Sequence, residues 1–409
     1  MTEQDTHLMH ASDLAGQMPA SAAPPLPWAG LLALATAGFI TILTEALPAG
    51  LLPQMAAGLG VSESMAGQLV SFYALGSLLA AVPLVIATRD WPRKTLLLCA
   101  ISGFAVVNTI TALSDSYALT LVARMLAGVF AGLLWALVAG YASRMVAPSQ
   151  RGRAIAVAMI GAPLAFSLGI PGGTLLGALV GWRHAFGLMT LMTLVLIAWV
   201  MWKVPPVPGS REGRRQAGLR EVWAMPGVAA VLVTTLLFVL GHNILYTYIA
   251  PYLIGVGLGA RVDVALLAFG LASIPGIALA GWLVDRWMRT LVLGSILAFG
   301  AAILMLGLAG SAAWCVYAGV ALWGLAFGGA PTLFQTASAN AAGDSADVAQ
   351  SFIVTVWNLG IAGGGVLGGL VLDGPGAAAL PWAALLAVLG AWFAAWLARA
   401  AGFPAIGRA

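Results

Sequence analysis

The stretch WAGLLALATAGFITILTEALPAGLL, residues 28–52, contains one ionisable side chain, Glu45, in an otherwise uncharged and largely apolar run. Apolar runs of about 18 residues or more are the pattern of membrane-spanning helices. Similar runs recur as far as Ala398, and 61% of the 409 residues are hydrophobic while only 8% are charged. Soluble domains carry about 25% charged residues, so this chain lacks the polar surface of a soluble protein. The sequence therefore predicts an all-α membrane protein.

The apolar runs predict twelve helices in two groups of six. The first group lies at 28–52, 65–88, 95–113, 117–143, 153–180 and 184–202. The second group lies at 227–253, 263–284, 290–309, 313–338, 346–372 and 380–398. We therefore expect a disordered tail at 1–27, a six-helix bundle at 28–203, a cytoplasmic linker at 204–226 and a second six-helix bundle at 227–409. The tail lacks the basic start of a secretory signal, so we expect it to be uncleaved.

The basic residues predict how the chain crosses the membrane. If the N-terminus lies inside, the predicted cytoplasmic segments hold 15 of the 18 Lys and Arg residues, and only Arg183 and Arg261 lie outside. Arg124 lies within a span. Because cytoplasmic loops of membrane proteins are enriched in Lys and Arg, we expect both termini in the cytoplasm. The net charge of +4 reflects this topology and does not indicate nucleic-acid binding.

The two groups of helices resemble each other at one spacing. GVFAG at 128–132 matches GLAFG at 324–328, and PGGTLLG at 171–177 matches LGGLVLD at 367–373, each at an offset of 196. Paired glycines are common in membrane helices, but several matches at one offset indicate a duplication. An even number of spans in each half makes the repeats parallel. This arrangement predicts a binding site between the halves, near the midplane of the bilayer.

Glu45 and Arg124 are predicted to couple transport to protons. A charged side chain at the centre of a span costs about 3 kcal/mol on insertion scales, and apolar surroundings disfavour the ionised carboxylate. The alternative for Glu45 is a local hydrogen bond that tilts the helix around Pro48. The alternative for Arg124 is an arginine that reaches to the membrane surface. Its counterpart at the offset of 196 is Val320, so the fold itself does not require this charge.

The seventh predicted span contains a second polar group in GHNILYTYIAPYL, residues 241–253. His242 and Tyr246 share one helix face, and Asn243 and Thr247 share another. We predict that His242, Asn243 and Tyr246 contact the substrate; the alternative is a histidine that only bonds a neighbouring helix. Proline and glycine beside this group and beside Glu45 are expected to permit local unwinding of both helices. Weaker substrate-contact candidates are Asn108, Trp135, Gln335 and Asn358.

Enzymatic patterns are missing from the sequence. It contains no phosphate-binding loop of the Walker type, no zinc-type His/Cys spacing and no nucleophile elbow. We therefore expect no catalysis, no metal and no cofactor. The expected partners are a small solute, protons and the lipid bilayer, and the expected state is a monomer.

The first predicted helix resembles that of the major facilitator superfamily, in its bacterial twelve-helix drug and sugar efflux branch. The matching residues are Thr44, Glu45, Pro48, Gly50, Leu51 and Leu52. The loop motif of the superfamily is matched after the eighth span by Gly281, Asp285, Arg286 and Arg289. After the second span its copy keeps only Arg93 and Lys94, because Val85 stands at the glycine position and Arg89 at the aspartate position.

Two further motifs carry the same resemblance. Arg124 and Gly128 are similar to the arginine motif of the fourth helix, which the resemblance links to proton coupling. The stretch GAPLAFSLGIPGG, residues 161–173, is similar to the antiporter motif of the fifth helix. Its matching positions are Pro163, Pro171, Gly172 and Gly173. The resemblance implies the major facilitator fold and an exporter rather than an importer.

Together these observations predict a proton-coupled exporter of a drug, sugar or nucleoside in the bacterial inner membrane. Two six-helix bundles would rock around a central cavity. Glu45 would take a proton from outside, and its neutralisation would weaken the binding of a cationic or hydroxyl-rich substrate. The alternatives are a proton-coupled importer with the same residues and a membrane sensor without turnover.

Overall fold

The computed structural model describes residues 25–88, 90–209, 219–308 and 312–403, and nearly all of these residues are helical. Most of the tail, residue Arg89 and the greater part of the linker fall outside the described residues. The helical passes follow the predicted order, and they are numbered here as spans 1 to 12.

The first half contains six spans. Spans 1 to 4 are Trp28–Leu59, Glu63–Ala87, Arg93–Leu113 and Tyr117–Arg144. Span 5 is built from Arg151–Met159, Gly161–Leu164, a π-helical turn at Ala165–Gly169, and Ile170–Val180. Span 6 is Trp182–Lys203.

The second half follows a short helix at Leu219–Trp223. Span 7 consists of Val228–Tyr246 and Ile249–Gly255, and spans 8 and 9 form one helical run at Val262–Leu308. Span 10 consists of Ala313–Gly328 and Ala330–Ala342, span 11 is Ala346–Asp373 and span 12 is Leu380–Leu397. Short 3₁₀ turns adjoin the spans at Pro148–Gln150, Gly259–Arg261, Gly343–Ser345, Ala377–Ala379 and Ala398–Ala400.

The 47-residue run of spans 8 and 9 folds back on itself at Trp287. The ring of Trp323 in span 10 lies 5.0 Å from that of Phe269 and 5.8 Å from that of Phe299. On one continuous helix, residues 269 and 299 would lie about 45 Å apart. Trp287 has φ −131° and ψ 27°, outside the helical region, and so marks the reversal. The turn that the sequence placed at 285–289 is therefore much tighter than predicted.

The predicted fold class is confirmed by this arrangement. Ten helical stretches are long and apolar enough to cross a membrane. One of them contains both span 8 and span 9, and span 2 adds another pass. The described residues thus contain twelve helical passes.

Span 1 continues seven residues beyond the predicted end at Leu52, past both of its prolines. It ends at Gly60, whose φ of 65° lies in the left-handed region that glycine adopts readily. The hydroxyl of Ser62 then accepts a hydrogen bond from the amide of Met65 and caps span 2. The expected unwinding of span 1 is therefore wrong, since the capping residues rather than the prolines end the helix. Span 7, by contrast, does break at Thr247 and Tyr248.

The duplication is visible in matching helix contacts. A Cβ atom on Gly128 would overlap the main chain at Tyr73, and a Cβ atom on Gly324 would overlap the main chain at Phe269. Tyr73 and Phe269 are themselves 196 positions apart, the offset found between the two glycines. The same close approach of span 4 to span 2 therefore recurs between span 10 and span 8. The two halves are pseudo-symmetric, as predicted.

The two ends of the bundle are distinguished by where the spans begin and end. One end of the bundle, here called the terminal face, is where the first span begins and the last span ends. The helix ends at this face include Trp28, Lys203, Val228 and Leu397. The opposite face is formed by the turns at Gly60, Gly181 and Gly257. The two halves meet closely near the opposite face, where span 2 packs against span 11 and against Tyr248 of span 7.

Polar contacts join the halves in a seam near the opposite face. The hydroxyl of Ser64 donates to the carboxylate of Asp373 at 2.6 Å. The side-chain amide of Gln68 donates to the carbonyl of Gly365 at 3.3 Å. A third hydrogen bond, from Ser71 to the carbonyl of Ala362, measures 3.1 Å. These residues are called the seam, and they hold the two halves together at this face.

Candidate functional site

Arg124 of span 4 is fully buried against spans 1 and 2. Its Nη2 atom donates to the main-chain carbonyl of Glu45 at 3.3 Å, and its Nε atom donates to the carbonyl of Leu69 at 3.3 Å. The centre of the guanidinium lies 4.9 Å from the ring centroid of Tyr73. With 0% of Arg124 exposed, this side chain does not reach the membrane surface. The sequence left open whether Arg124 meets Glu45, and the structure shows that it meets the Glu45 main chain.

Two buried polar atoms around Glu45 have no partner among the described residues. These are Nη1 of Arg124 and Oδ1 of Asn108, whose amide nitrogen donates to the hydroxyl of Thr44 at 3.1 Å. Buried polar atoms without a partner are uncommon in proteins. The Glu45 side chain is only partly buried. A carboxylate with a free guanidinium donor nearby can exchange a proton or accept a hydrogen bond from a solute.

Glu45 also interacts with the second half. Its carboxyl group lies close enough to Arg124 and to Tyr246 of span 7 for electrostatic interactions with both. The charged group of the first half and the polar face of span 7 therefore belong to one central site. The binding site that the parallel duplication predicts between the halves stays a prediction.

His242 of span 7 is enclosed by aromatic side chains. The indole Nε1 of Trp323 donates to its Nδ1 atom at 3.1 Å. Its ring stacks on Phe327 with centroids 3.6 Å apart and planes 11° apart, and on Tyr246 with centroids 5.0 Å apart. His242 and Tyr246 thus share one face of the helix, as their spacing indicated.

These rings belong to a larger aromatic cluster that reaches across both halves. Phe166 of span 5 lies 6.1 Å from Tyr246 and 6.4 Å from Phe327, measured between ring centroids. Trp357 of span 11 lies 6.0 Å from Phe327. The aromatic cluster is defined as Phe166, His242, Tyr246, Phe269, Trp323, Phe327 and Trp357. The sequence did not identify most of its members, because aromatic residues scattered over five spans carry no local signal that they meet.

The other predicted substrate contacts lie apart from this cluster or make local bonds. Asn243 donates to the carbonyl of Val239 at 2.9 Å, and Asn358 donates to that of Val354 at 2.9 Å, both within their own helices. Asn243 also packs against Gly364 of span 11. These contacts position both amides within the packing of spans 7 and 11.

Trp135 and Gln335 complete the set of predicted contacts. Trp135 is partly buried, and its ring faces Gly38, two helical turns from Glu45 towards the terminal face. It therefore borders span 1 on the terminal side of the central site. Gln335 is exposed.

The loop motif after span 2 holds the start of the linker against the first half. The Lys94 ammonium donates to the carbonyl of Met201 at 2.9 Å, near the end of span 6. The main-chain amide of Arg93 donates to the carbonyl of Val207 at 2.9 Å. Asp90 interacts electrostatically with Arg93. Although the motif is degenerate, its basic residues lie at a junction between span 3, span 6 and the linker.

The copy of this motif after span 8 contacts the C-terminal end. Arg289 donates to the carbonyl of Phe403 at 2.9 Å, and the Arg286 guanidinium lies 6.0 Å from the Trp287 ring. A Cβ atom on Gly281 would meet nothing within 4 Å, and Asp285 is exposed. The glycine of this motif is thus not needed for close packing in this conformation.

Span 5 is irregular where it carries the antiporter-like motif. The π-helical turn at Ala165–Gly169 begins two residues after Pro163. Gly161 packs against the main chain of span 1, and Gly270 of span 8 packs against the main chain at Phe166. π-turns inside helices often occur at functional sites. We therefore expect span 5 to change its packing against spans 1 and 8 at this segment.

Comparisons with known proteins agree with this geometry. The family model of the Major Facilitator Superfamily matches residues 34–365. A chloramphenicol efflux pump of Mycobacterium tuberculosis is 31% identical over 369 residues, which cover 86% of this chain and 89% of that protein. A purine ribonucleoside efflux pump of Escherichia coli is 31% identical over 356 residues, covering 85% and 88%.

Solved structures show the same fold at lower identity. A bacterial homologue of the human lysosomal transporter Spinster, in an inward-facing and occupied conformation, has a TM-score of 0.72 at 16% identity and covers 93% of this chain and 98% of its own. The human organic anion transporter MFSD10 has a TM-score of 0.66 at 18% identity, with coverage of 91% and 100%.

Proposed function

This chain belongs to the Major Facilitator Superfamily, and we propose that it is an antiporter that exports a small organic solute in exchange for protons. Its family and its efflux-pump relatives make it a transporter of small solutes and not an enzyme. The observation that carries the proton-coupled proposal is the placement of Glu45. This acid lies well within a span, beside the buried Arg124 and within electrostatic reach of Tyr246.

The proposed exchange follows from the charges at the central site. When Glu45 is ionised, its charge balances that of Arg124, and its carboxylate accepts hydrogen bonds from a solute. When Glu45 is protonated, the Arg124 charge is unbalanced and the carboxylate acceptor is lost. Proton and solute therefore weaken each other's binding, which is the thermodynamic requirement for exchange. Bundles at 28–203 and 227–409, joined by a linker at 204–226, would then turn the site towards each compartment in turn.

The orientation is part of the same proposal. The distribution of Lys and Arg favours the terminal face in the cytoplasm of a bacterial inner-membrane protein. In that orientation the seam lies on the outer side, and the conformation described here is closed to the outside. Export is favoured over import by the two efflux-pump relatives.

The test compares wild-type protein and Glu45→Gln in proteoliposomes with chloramphenicol and a purine ribonucleoside as trial solutes. Wild-type protein should move protons against the solute, reported by a trapped pH dye. Glu45→Gln should lose this proton movement yet still exchange labelled for unlabelled solute across the membrane. The matched control is Glu63→Gln, an acid at the start of span 2 on the opposite face, which should behave as wild type. Proton movement at the wild-type rate in Glu45→Gln would exclude Glu45 as the coupling group.

A further inference from the structure

The charge of the central site limits the charge of the solute. Of the Asp, Glu, Lys and Arg residues that the structure describes, Glu45 and Arg124 lie well within the spans, and the others lie at their ends or in turns. The site therefore carries no net charge when Glu45 is ionised and one positive charge when it is protonated. Burying a second charge at such a site is costly unless it is paired. Nη1 of Arg124 has no described partner, but a cationic solute could not use this donor.

His242 does not supply a further charge in this conformation. Its Nδ1 atom accepts the hydrogen bond from the Trp323 indole, so the ring carries its hydrogen on Nε2. A doubly protonated ring would point an N–H group at the indole N–H group, two donors facing each other. His242 is thus a neutral donor through Nε2. The second half contributes hydrogen bonding and no charge to the site.

The aromatic cluster favours a planar ring. Phe327 already stacks against the flat face of His242, and Phe166 and Trp357, whose ring centroids lie 6.4 Å and 6.0 Å from that of Phe327, are only partly buried. Aromatic pairs contribute more than the burial of their area alone. The half-buried rings come from spans 5 and 11, which belong to different halves. A flat solute between them would contact both bundles at once.

We propose that the solute is an uncharged compound with a planar aromatic ring. The ring lies against the aromatic cluster, an N–H or O–H group of the solute donates to the Glu45 carboxylate, and an acceptor takes the Nε2 hydrogen of His242. This inference rests on the proposed function and narrows its substrate class. The sequence suggested a cationic or hydroxyl-rich substrate; the proposal sets aside the cationic alternative, because Arg124 balances the charge of Glu45.

The proposal has an electrical consequence. Exchange of one proton for one uncharged solute moves one positive charge across the membrane in each cycle. Exchange of one proton for one monovalent cation moves none. Export of the uncharged solute should therefore respond to a membrane potential that is imposed without a pH gradient.

The experiment measures equilibrium binding to the purified full-length protein at one pH, with no gradient present. The probes are two uncharged ring compounds, adenosine and chloramphenicol, one aromatic cation, tetraphenylphosphonium, and one uncharged sugar without an aromatic ring, arabinose. At least one uncharged ring compound should bind saturably and more tightly than the cation and the sugar. Phe166→Leu, at one of the two partly buried rings, should weaken this binding about three- to tenfold. The control Phe393→Leu, at a ring that is 56% exposed on span 12, should not.

The outcomes separate this inference from the proposed function. Tighter binding of tetraphenylphosphonium or arabinose, or no saturable binding of either ring compound, overturns the proposed substrate class. An unchanged affinity in Phe166→Leu overturns the assigned ring contact. If a ring compound binds but its transport moves no protons, the proton-coupled function fails and the substrate class stands. If export of a ring compound from proteoliposomes does not change with an imposed membrane potential, the charge argument is wrong.

Discussion

The Arg124 guanidinium shows why a single charge can be retained within a membrane. It donates to carbonyls on two different spans, at Glu45 and Leu69, and it lies against the ring of Tyr73. Main-chain carbonyls and an aromatic face satisfy part of its hydrogen-bonding capacity without neutralising its charge. The remaining charge balances Glu45 when that residue is ionised. In the second half the equivalent position is Val320, and no such balance is needed there.

We expect Arg124→Lys to lose transport, although it keeps the positive charge. A lysine ammonium cannot present the rigid fork that reaches both carbonyls, and each hydrogen bond from a charged donor contributes about 1.5–3 kcal/mol. The measurements are solute exchange in proteoliposomes and thermal unfolding of the purified protein. Arg261→Lys, at an exposed arginine of the opposite face, should match wild type in both. Full exchange activity in Arg124→Lys would show that its charge alone is sufficient.

We expect His242→Gln to raise the apparent KM for the solute while the shape of the pH profile of transport stays unchanged. His242 accepts from Trp323 as a neutral ring, so it contributes contacts and not proton coupling. His242→Leu should also lower the melting temperature, because the buried Trp323 N–H group then loses its acceptor at a cost of about 1–3 kcal/mol. A pH profile that flattens in His242→Gln would instead make His242 part of the proton pathway.

At the scale of helices, close packing depends on a few glycines. Span 4 approaches span 2 at Gly128, and span 10 approaches span 8 at Gly324, so that no side chain fits at either position. Small residues permit such approach between membrane helices. Not every glycine in a motif has this role, because Gly281 faces open space.

We expect Gly324→Ala to destabilise the protein by about 1–3 kcal/mol, because its methyl group would overlap the main chain at Phe269. The midpoint of unfolding in a detergent titration should fall. Gly281→Ala is the matched control and should leave the midpoint unchanged or raise it, since alanine favours helices more than glycine does. Equal effects of the two substitutions would refute the packing argument.

At the scale of the whole molecule, the seam decides which face is closed. Ser64, Gln68 and Ser71 donate hydrogen bonds across the two halves near the opposite face. Alternating access requires these bonds to break when that face opens. Their strength therefore contributes to the balance between the two conformations, and weakening them should shift the population rather than unfold the protein.

We expect the double variant Ser64→Ala with Ser71→Ala to populate the open form of the opposite face about ten- to thirtyfold more. Each lost hydrogen bond contributes about 1 kcal/mol, and 1.4 kcal/mol is a factor of ten in an equilibrium constant. Spin labels at Leu113 and Leu308, exposed by 76% and 74% at this face, would report the distance between the halves. Cys99 and Cys315 would first be replaced by serine.

The control for this shift is Tyr117→Phe. The hydroxyl of Tyr117 donates to the carbonyl of Met65 at 2.8 Å, a bond of the same kind that stays within the first half. Tyr117→Phe should leave the distribution of distances between the spin labels unchanged. If the double variant and this control shift the distribution equally, the seam does not set the balance.

The sequence by itself determined the number and order of the spans, the duplication and the two charged residues within the spans. These features can be read from the order of apolar and charged residues along the chain. A membrane-spanning helix needs a long apolar run, and a charged residue inside such a run is rare. The offset of 196 predicted matching halves, and the contacts of Gly128 and Gly324 confirm them. Where a residue departs from the apolar background, as Glu45 does, sequence reasoning was sufficient to find it.

Only the tertiary structure decided the partners of Arg124, the aromatic cluster, the seam and the sharp reversal at Trp287. In a soluble protein, the alternation of polar and apolar residues shows which helix face is buried. In a membrane, the lipid-facing and protein-facing sides of a helix are both apolar, so this contrast is missing. Partners such as His242 and Trp323, 81 positions apart, therefore leave no trace in the local pattern. Their pairing is set by how the spans pack against one another.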